Sequence, residues 1–358
     1  MRASGRGAWL NVYASIQGVT TPQGQVKGRF MNRAGGRAPT VTEYVVSNID
    51  HTVPQYMELL HKLELVTDQD SVHTINPSTA EANELTATDP EDLMALYDDV
   101  VFNDGPVIML NGSGTYHHLT YGMCRGAIDK HEVPYTMFHF DKHGDSRPSA
   151  GSIDCGNYLS KLTKDSPYAT KQVVIGADSM VDNGKWMDTE VLDKGAGIYP
   201  YSAAEARFTK MDHEPDVDCV SKQYDADKHW VDVKWHTVEK EGIDTIVNRA
   251  LDRTETDAVY ITVDLDVLSP EYASTDWSNG KMSLDELLDA IKLIREEKQV
   301  LGIDITGTDR SLEESCCHTY YSIAAIVNEV TDGPHDREFF KDNIKTERGI
   351  LRTLGILP

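Results

Sequence analysis

Short apolar runs alternate with amphipathic stretches along most of the chain. Residues 106–110 (PVIML) and 134–140 (PYTMFHF) read as strands, with a helix expected between them over roughly 117–129. The alternation continues through strands at 172–176 (QVVIG), 197–200 (GIYP), 258–264 (AVYITVD) and 299–305 (QVLGIDI). Helices are expected near 239–252, at 283–297 (SLDELLDAIKLIREE) and at 318–331. Near-continuous apolar strands separated by amphipathic helices predict a mostly parallel sheet covered on both faces. Ligands of such sheets bind beyond the carboxyl ends of the strands, so the residues that close each strand are the informative ones.

Composition narrows the picture. The 358 residues hold 34 Lys+Arg against 58 Asp+Glu, a formal net charge of -24. A phosphate backbone would be repelled, which argues against nucleic acid as a partner. No apolar run approaches the ~18–20 residues that cross a bilayer, so no membrane role is expected. Five scattered cysteines form neither a disulfide framework nor a CxxC knuckle, which favours a reducing, cytoplasmic setting. Residues 1–42 stand apart: they contain Arg2, Arg6, Lys27, Arg29, Arg33 and Arg37 and no acid, so 43–358 carry -24 minus +6, or -30. This basic stretch reads as an exposed arm against its own or a neighbouring acidic subunit, with an organellar import segment as the alternative. No repeat or Pro/Ser-rich linker divides the remainder, and 43–358 are expected to form one catalytic domain.

Two strand ends carry an excess of metal-type ligands. In Phe138-His139-Phe140-Asp141-Lys142-His143-Gly144-Asp145, the side chains of Asp141, His143 and Asp145 share one side of an extended segment. Asp264 and Asp266 do the same in Thr262-Val263-Asp264-Leu265-Asp266. One such pair alone is usually a loop cap or a solvated carboxylate pair. Four carboxylates and an imidazole at the ends of strands in one sheet would repel one another unless cations neutralised them. Oxygen ligands mixed with imidazole suit Mn²⁺, less often Fe, Co or Zn, and the ligand count suggests two ions. A third strand end delivers adjacent histidines: Asn111-Gly112-Ser113-Gly114-Thr115-Tyr116-His117-His118 is a glycine-rich turn that aims one of the pair at the same crevice.

The segments GTYHH (114–118), DKHGD (141–145) and DLDVLSP (264–270) resemble the GGDHS-like, DAHxD and DxDxxDP segments of the ureohydrolase superfamily, in the same order over roughly residues 100–330. That family includes arginase, agmatinase, formiminoglutamase and guanidinobutyrase, and shares its fold with metal-dependent deacetylases. The resemblance implies a three-layer α/β/α fold, a homo-oligomer, and two Mn²⁺ per chain held by His117, Asp141, His143, Asp145, Asp264 and Asp266. His117 is preferred over His118 because Leu119 and Gly122 then fall where the family's helix has its leucine and glycine. It also implies a hydroxide attacking a guanidinium carbon to give urea and an amine, with Asp266 passing the proton to the departing nitrogen. His118 is a second acid–base candidate.

Departures from the family concern substrate recognition. Arginase-like enzymes carry a guanidinium-pairing glutamate where this chain has Gly307; Asp309 is the candidate substitute, with a loop cap as its plainer reading, and Asp304 is expected to lie too deep. Arg147 either faces the mouth, where it would favour a carboxylate, or pairs with a nearby acid. Gly156-Asn157 matches a Gly-Asn pair that touches the substrate's distal end, and the family's proton-shuttling histidine has become Leu159 or its neighbour. Asp178 and Asp182 are candidates to grip a substrate amino group, or else solvated loop acids. Adjacent Cys316 and Cys317 read as helix packing. The expected activity is hydrolysis of a non-peptide C–N bond in an atypical small-molecule or peptide-borne guanidino compound. The rivals are a deacetylase-like amidohydrolase with a single zinc, acting on an amide, and a metal-stabilised scaffold without turnover.

Overall fold

The computed structural model describes residues 43–47, 60–66, 70–75, 88–100, 105–148, 151–178, 188–195, 197–308 and 317–353. The basic stretch 1–42, and with it the choice between arm and import segment, lies outside them, as do Asp182, Asp309 and Cys316.

The described residues form eleven strands: β1 (Glu43–Ser47), β2 (Ser71–Ile75), β3 (Val107–Gly112), β4 (Tyr135–Phe140), β5 (Ala169–Gly176), β6 (Gly197–Pro200), β7 (Glu205–Thr209), β8 (Ser221–Asp225), β9 (Trp230–Lys234), β10 (Ala258–Asp264) and β11 (Gln299–Thr306). Eight of them form one parallel sheet in the order β2-β1-β3-β11-β10-β4-β5-β6. The strands expected from the sequence are all there, with ends shifted by at most three residues. Every residue of β3, β4 and β10 is buried, which accounts for their unbroken apolar character.

Alternate residues of each strand enter two different cores. Phe138, Phe140, Ile261 and Val263 pack with the helices Ile243–Asp252, Leu284–Glu297 and Cys317–Thr331. Tyr135, Met137, Ala258 and Tyr260 pack with the helices Pro90–Ala95, Leu119–Gly126 and Tyr158–Asp165 on the opposite face. The three-layer α/β/α arrangement follows directly. Helix Leu284–Glu297 illustrates the local logic: Ser283 and Glu286 form a capping box, and Leu284, Leu287, Leu288, Ile291 and Ile294 fall on the buried stripe. Each such fully buried side chain contributes about 1.5–3 kcal/mol.

Two features differ from expectation. The helix anticipated near 239–252 is two helices, Val238–Glu241 and Ile243–Asp252, because Gly242 between them takes φ +80°. Between β6 and Val238 lies a separate antiparallel sheet, β7-β9-β8, whose inner face packs Phe208, Val231 and Val233 against Trp235. Among the described residues, no helix is long and apolar enough to cross a membrane.

Candidate metal centre

In the sheet order, β3, β11, β10 and β4 are neighbours, so their carboxyl ends lie side by side at one place. Pairing register sets the floor of that place. Thr262 of β10 lies opposite Asp304 of β11 on one side and His139 of β4 on the other, and all three are buried. Above this polar row stands His117, carried by the turn after β3 and the short helix Gly114–Tyr116.

The row fixes the state of His117. Thr262 Oγ1 has one proton and donates it to Asp304 Oδ1 at 2.8 Å, while Thr120 Oγ1 donates to the same oxygen at 3.0 Å. Thr262 is therefore an acceptor toward His117 Nε2, 2.8 Å away, and Nε2 carries the proton. Tyr158 OH also lies 2.9 Å from Nε2. The lone pair of a neutral His117 is thus on Nδ1, which faces the carboxylates of Asp145 (3.1 Å), Asp141 (3.2 Å) and Asp264 (3.6 Å). The distances are those of an ion pair, yet Nδ1 forms no hydrogen bond of acceptable geometry. A nitrogen lone pair directed among carboxylates fits a shared cation.

The carboxylates are prepared in the same way. Asp141 Oδ1 accepts from the His143 amide at 2.6 Å, Asp264 Oδ1 from the Asp266 amide at 2.9 Å, and Asp266 Oδ1 from the Lys142 amide at 3.1 Å. Backbone N–H groups hold one oxygen of each, leaving the other to converge on the imidazoles. Asp266 Oδ2 is 2.8 Å from His143 Nδ1 and, like His117 Nδ1, lacks a hydrogen-bond partner of proper geometry. Asp145 reaches the cluster with φ +40°, a left-handed backbone that costs a non-glycine residue about 1–2 kcal/mol.

Two groups of ligand atoms result, each within 4.8 Å: His117, His139, Asp141 and Asp145, and Asp141, His143 and Asp266. Asp141 belongs to both. Burial, then the charge of Asp141, pushes the carboxyls of Asp145 and Asp266 up to about 7 in the ion-free fold. Asp264 is raised by burial and by Asp266 and Asp141. Burial opposes the charging of His143, but its pairing with the Asp141 and Asp266 carboxylates outweighs that and lifts it to about 11. Without cations the cluster keeps protons that ligation would displace, so donor set, geometry and electrostatics all fit divalent ions.

Of the residues singled out in the sequence, His117, Asp141, His143, Asp145 and Asp266 stand in the two ligand groups; Asp264 and His118, both buried, stand in neither, although Asp264 Oδ2 lies 3.6 Å from His117 Nδ1. Asp304 is fully buried beneath the site, as expected. Arg147 forms an ion pair with Asp154 at 2.6 Å. Asn157 spends its amide on its own loop, accepting from the Asp154 N–H and donating to Ser152 O. Asp178 caps the turn after β6, accepting from the amides of Ser202 and Ala203 and from Ser202 Oγ. Among these last three, none makes its polar contacts with the cluster; Arg147 takes the ion pair with a nearby acid that was its alternative reading, while Asp178 is a turn cap rather than a solvated loop acid. Gly307 takes φ +98°, and a Cβ built on it would run into Asp264 Oδ1 and the Leu265 amide. No side chain fits at the position where a guanidinium-pairing carboxylate was sought.

His139 is the residue the sequence reading passed over. It lies in phase with Asp141, His143 and Asp145, and its Nε2 is 2.8 Å from Asp141 Oδ2. Phase was the available signal, but a single histidine within an apolar strand resembles a core residue.

The sequence pattern that defines the arginase family matches residues 32–331. A protein of Schizosaccharomyces pombe described as putative agmatinase 1 is 25% identical over 205 residues, 52% of this chain and 42% of that protein. The chain spans about half the length of the curated relatives it matches, 42% and 58%. Among solved structures, a hypothetical agmatinase from Burkholderia thailandensis superposes with a TM-score of 0.54 at 16% identity, covering 82% of this chain and 84% of that one. Arginase from Bacillus caldovelox gives 0.54 at 17% identity, covering 83% and 99%. At these identities the two structures speak for the fold.

Proposed function

Because the chain belongs to the arginase family, we propose that it is a metal-dependent hydrolase of a non-peptide C–N bond, acting on a guanidino or amidino compound with two divalent cations, Mn²⁺ by donor type. The observation that carries this reading is the pair of ligand groups that share Asp141. His117, Asp141 and Asp145 would hold one ion, with His139 beside them, and His143 and Asp266 would hold the other with Asp141; Asp264 Oδ2 lies 3.6 Å from His117 Nδ1 on the side of the first. Bound there, the ions supply a hydroxide at neutral pH by lowering the pKa of water.

The chain's own residues do the rest. Asp266, with Oδ1 fixed by the Lys142 amide, presents Oδ2 to receive a proton and return it to the departing nitrogen. Asp304 and Thr262 keep the His117 proton on Nε2, which leaves the Nδ1 lone pair free to ligate a cation. Gly307 offers no carboxylate to the substrate, and this supports a compound recognised differently from arginine. The shared Asp141 favours two ions over the single zinc of a deacetylase-like site.

The test is metal analysis of manganese-loaded protein combined with a screen for urea, ammonia and amine release from guanidines, amidines and formimino compounds. Two ions per chain and release from at least one class are expected. One zinc per chain with amide cleavage would transfer the reading to the deacetylase-like alternative, and two ions without any release would leave a scaffold.

A further inference from the structure

Among the described ligand side chains, the cluster opens to solvent chiefly at one place. The side chains of His117, His139, Asp141 and Asp266 are essentially inaccessible, whereas His143 is 17% exposed. Trp277 stands at that opening, its ring centroid 5.6 Å from that of His143. It also borders Gly114: a Cβ there would come within 3.1 Å of Trp277 Cδ1 and 2.9 Å of Asp264 Oδ2. A side chain at 114 would fill the space between the indole and the carboxylate cluster.

Trp277 is 47% exposed, which is unusual for so large an apolar ring. It is also held on both flanks. On one side Asp276 accepts from Ser113 Oγ and from the Gly114 amide. On the other, Lys142 Nζ donates to Ser278 O (2.9 Å), Ser278 Oγ (2.7 Å) and Asn279 O (3.0 Å), while Asn279 Nδ2 donates to Leu268 O and Ala273 O. Seven hydrogen bonds thus fix the loop that presents a half-exposed indole at the mouth of the site. An aromatic ring half exposed at the mouth, beside a carboxylate and rigidly placed, is suited to a flat cation.

We infer that Trp277 is a specificity-determining wall of the active site, against which the substrate's planar guanidinium or amidinium group lies. The inference rests on the hydrolase reading and deepens it: cation–π contact with Trp277, reinforced by the Asp276 carboxylate, takes the recognition role that no side chain at Gly307 can fill. The group enters over His143, between the indole and Asp264.

The test uses the metal-loaded full chain, with W277A and W277F compared by steady-state kinetics on a guanidine the wild type hydrolyses, and by tryptophan fluorescence on titration with methylguanidinium. W277A should raise KM about tenfold with kcat changed far less, W277F should restore most of it, and both variants should keep the wild-type metal content. Quenching by methylguanidinium should appear in the wild type and vanish in W277F. A W277A enzyme that keeps its KM, or quenching that survives W277F, would overturn the inference and leave the hydrolase reading standing. Quenching lost in W277F without any turnover by the wild type would do the reverse, and absence of both quenching and turnover would remove both. W277F, which preserves volume, keeps the test decisive if W277A fails to fold.

Discussion

At the scale of single residues, the candidate site depends as much on what is absent as on what is present. Gly307 closes β11 with φ +98° and donates its N–H to Gly112 O at 2.7 Å, while its missing Cβ leaves room for Asp264. Gly307→Ala places a methyl group against the Asp264 carboxylate and puts an alanine in the left-handed region. Backbone strain of about 1–2 kcal/mol adds to overpacking of about 1–3 kcal/mol. The expected outcome is a lower melting temperature together with fewer bound ions, read by calorimetry and metal analysis on one preparation. A variant that melts lower yet binds its full complement would show that Asp264 is not a ligand. His139 teaches the complementary lesson about legibility. Its alternation with Asp141, His143 and Asp145 was visible in the sequence, but which side of β4 meets the histidine of another loop is decided by the register with β10.

Register is a property of elements, and at that scale the site is a row across three strands. Thr262 is the middle of the row: it donates to Asp304 and accepts from His117, so its hydroxyl transmits the orientation of a buried carboxylate to a ligand imidazole. Thr262→Val keeps the shape and removes the hydroxyl. His117 Nε2 then retains Tyr158 OH but loses its link to Asp304, and Asp304 keeps Thr120 alone of its two hydroxyl donors. Loss of such an outer partner typically weakens metal binding about 10–100-fold. Isothermal titration with Mn²⁺ of the chelator-stripped protein should show that loss, and an unchanged affinity would rule out the relay. The central strands were legible because burial on both faces writes unbroken apolar runs such as AVYITVD. The antiparallel sheet of β7, β8 and β9 was not, since β7 alternates exposed and buried residues (Glu205, Ala206, Arg207, Phe208, Thr209) and its outer face is charged. Arg207 and Asp232 form an ion pair on that face. The break at Gly242 was hidden for another reason: a glycine within a helical pattern is tolerated unless the backbone takes a positive φ, which composition does not reveal.

For the whole molecule, the net charge of -24 acts at two depths that respond differently to salt. Most of it is solvated surface, where self-repulsion opposes compactness and is screened over about 10 Å at 0.1 M and about 3 Å at 1 M salt. Asp141, Asp145, Asp264 and Asp266 are instead buried, where screening is weak and cations bound in the fold stabilise it by mass action. Thermal melts on a grid of NaCl concentration against chelator separate the two. Raising NaCl from about 0.02 to 1 M should raise the melting temperature of both the manganese-loaded and the stripped protein, through the shared surface term. The gap between them should keep more than half of its low-salt size, because surface screening does not reach the cluster. A gap that collapses at high salt would locate the stabilising ions on exposed carboxylates, of which this chain has many, and would separate its acidity from its chemistry altogether.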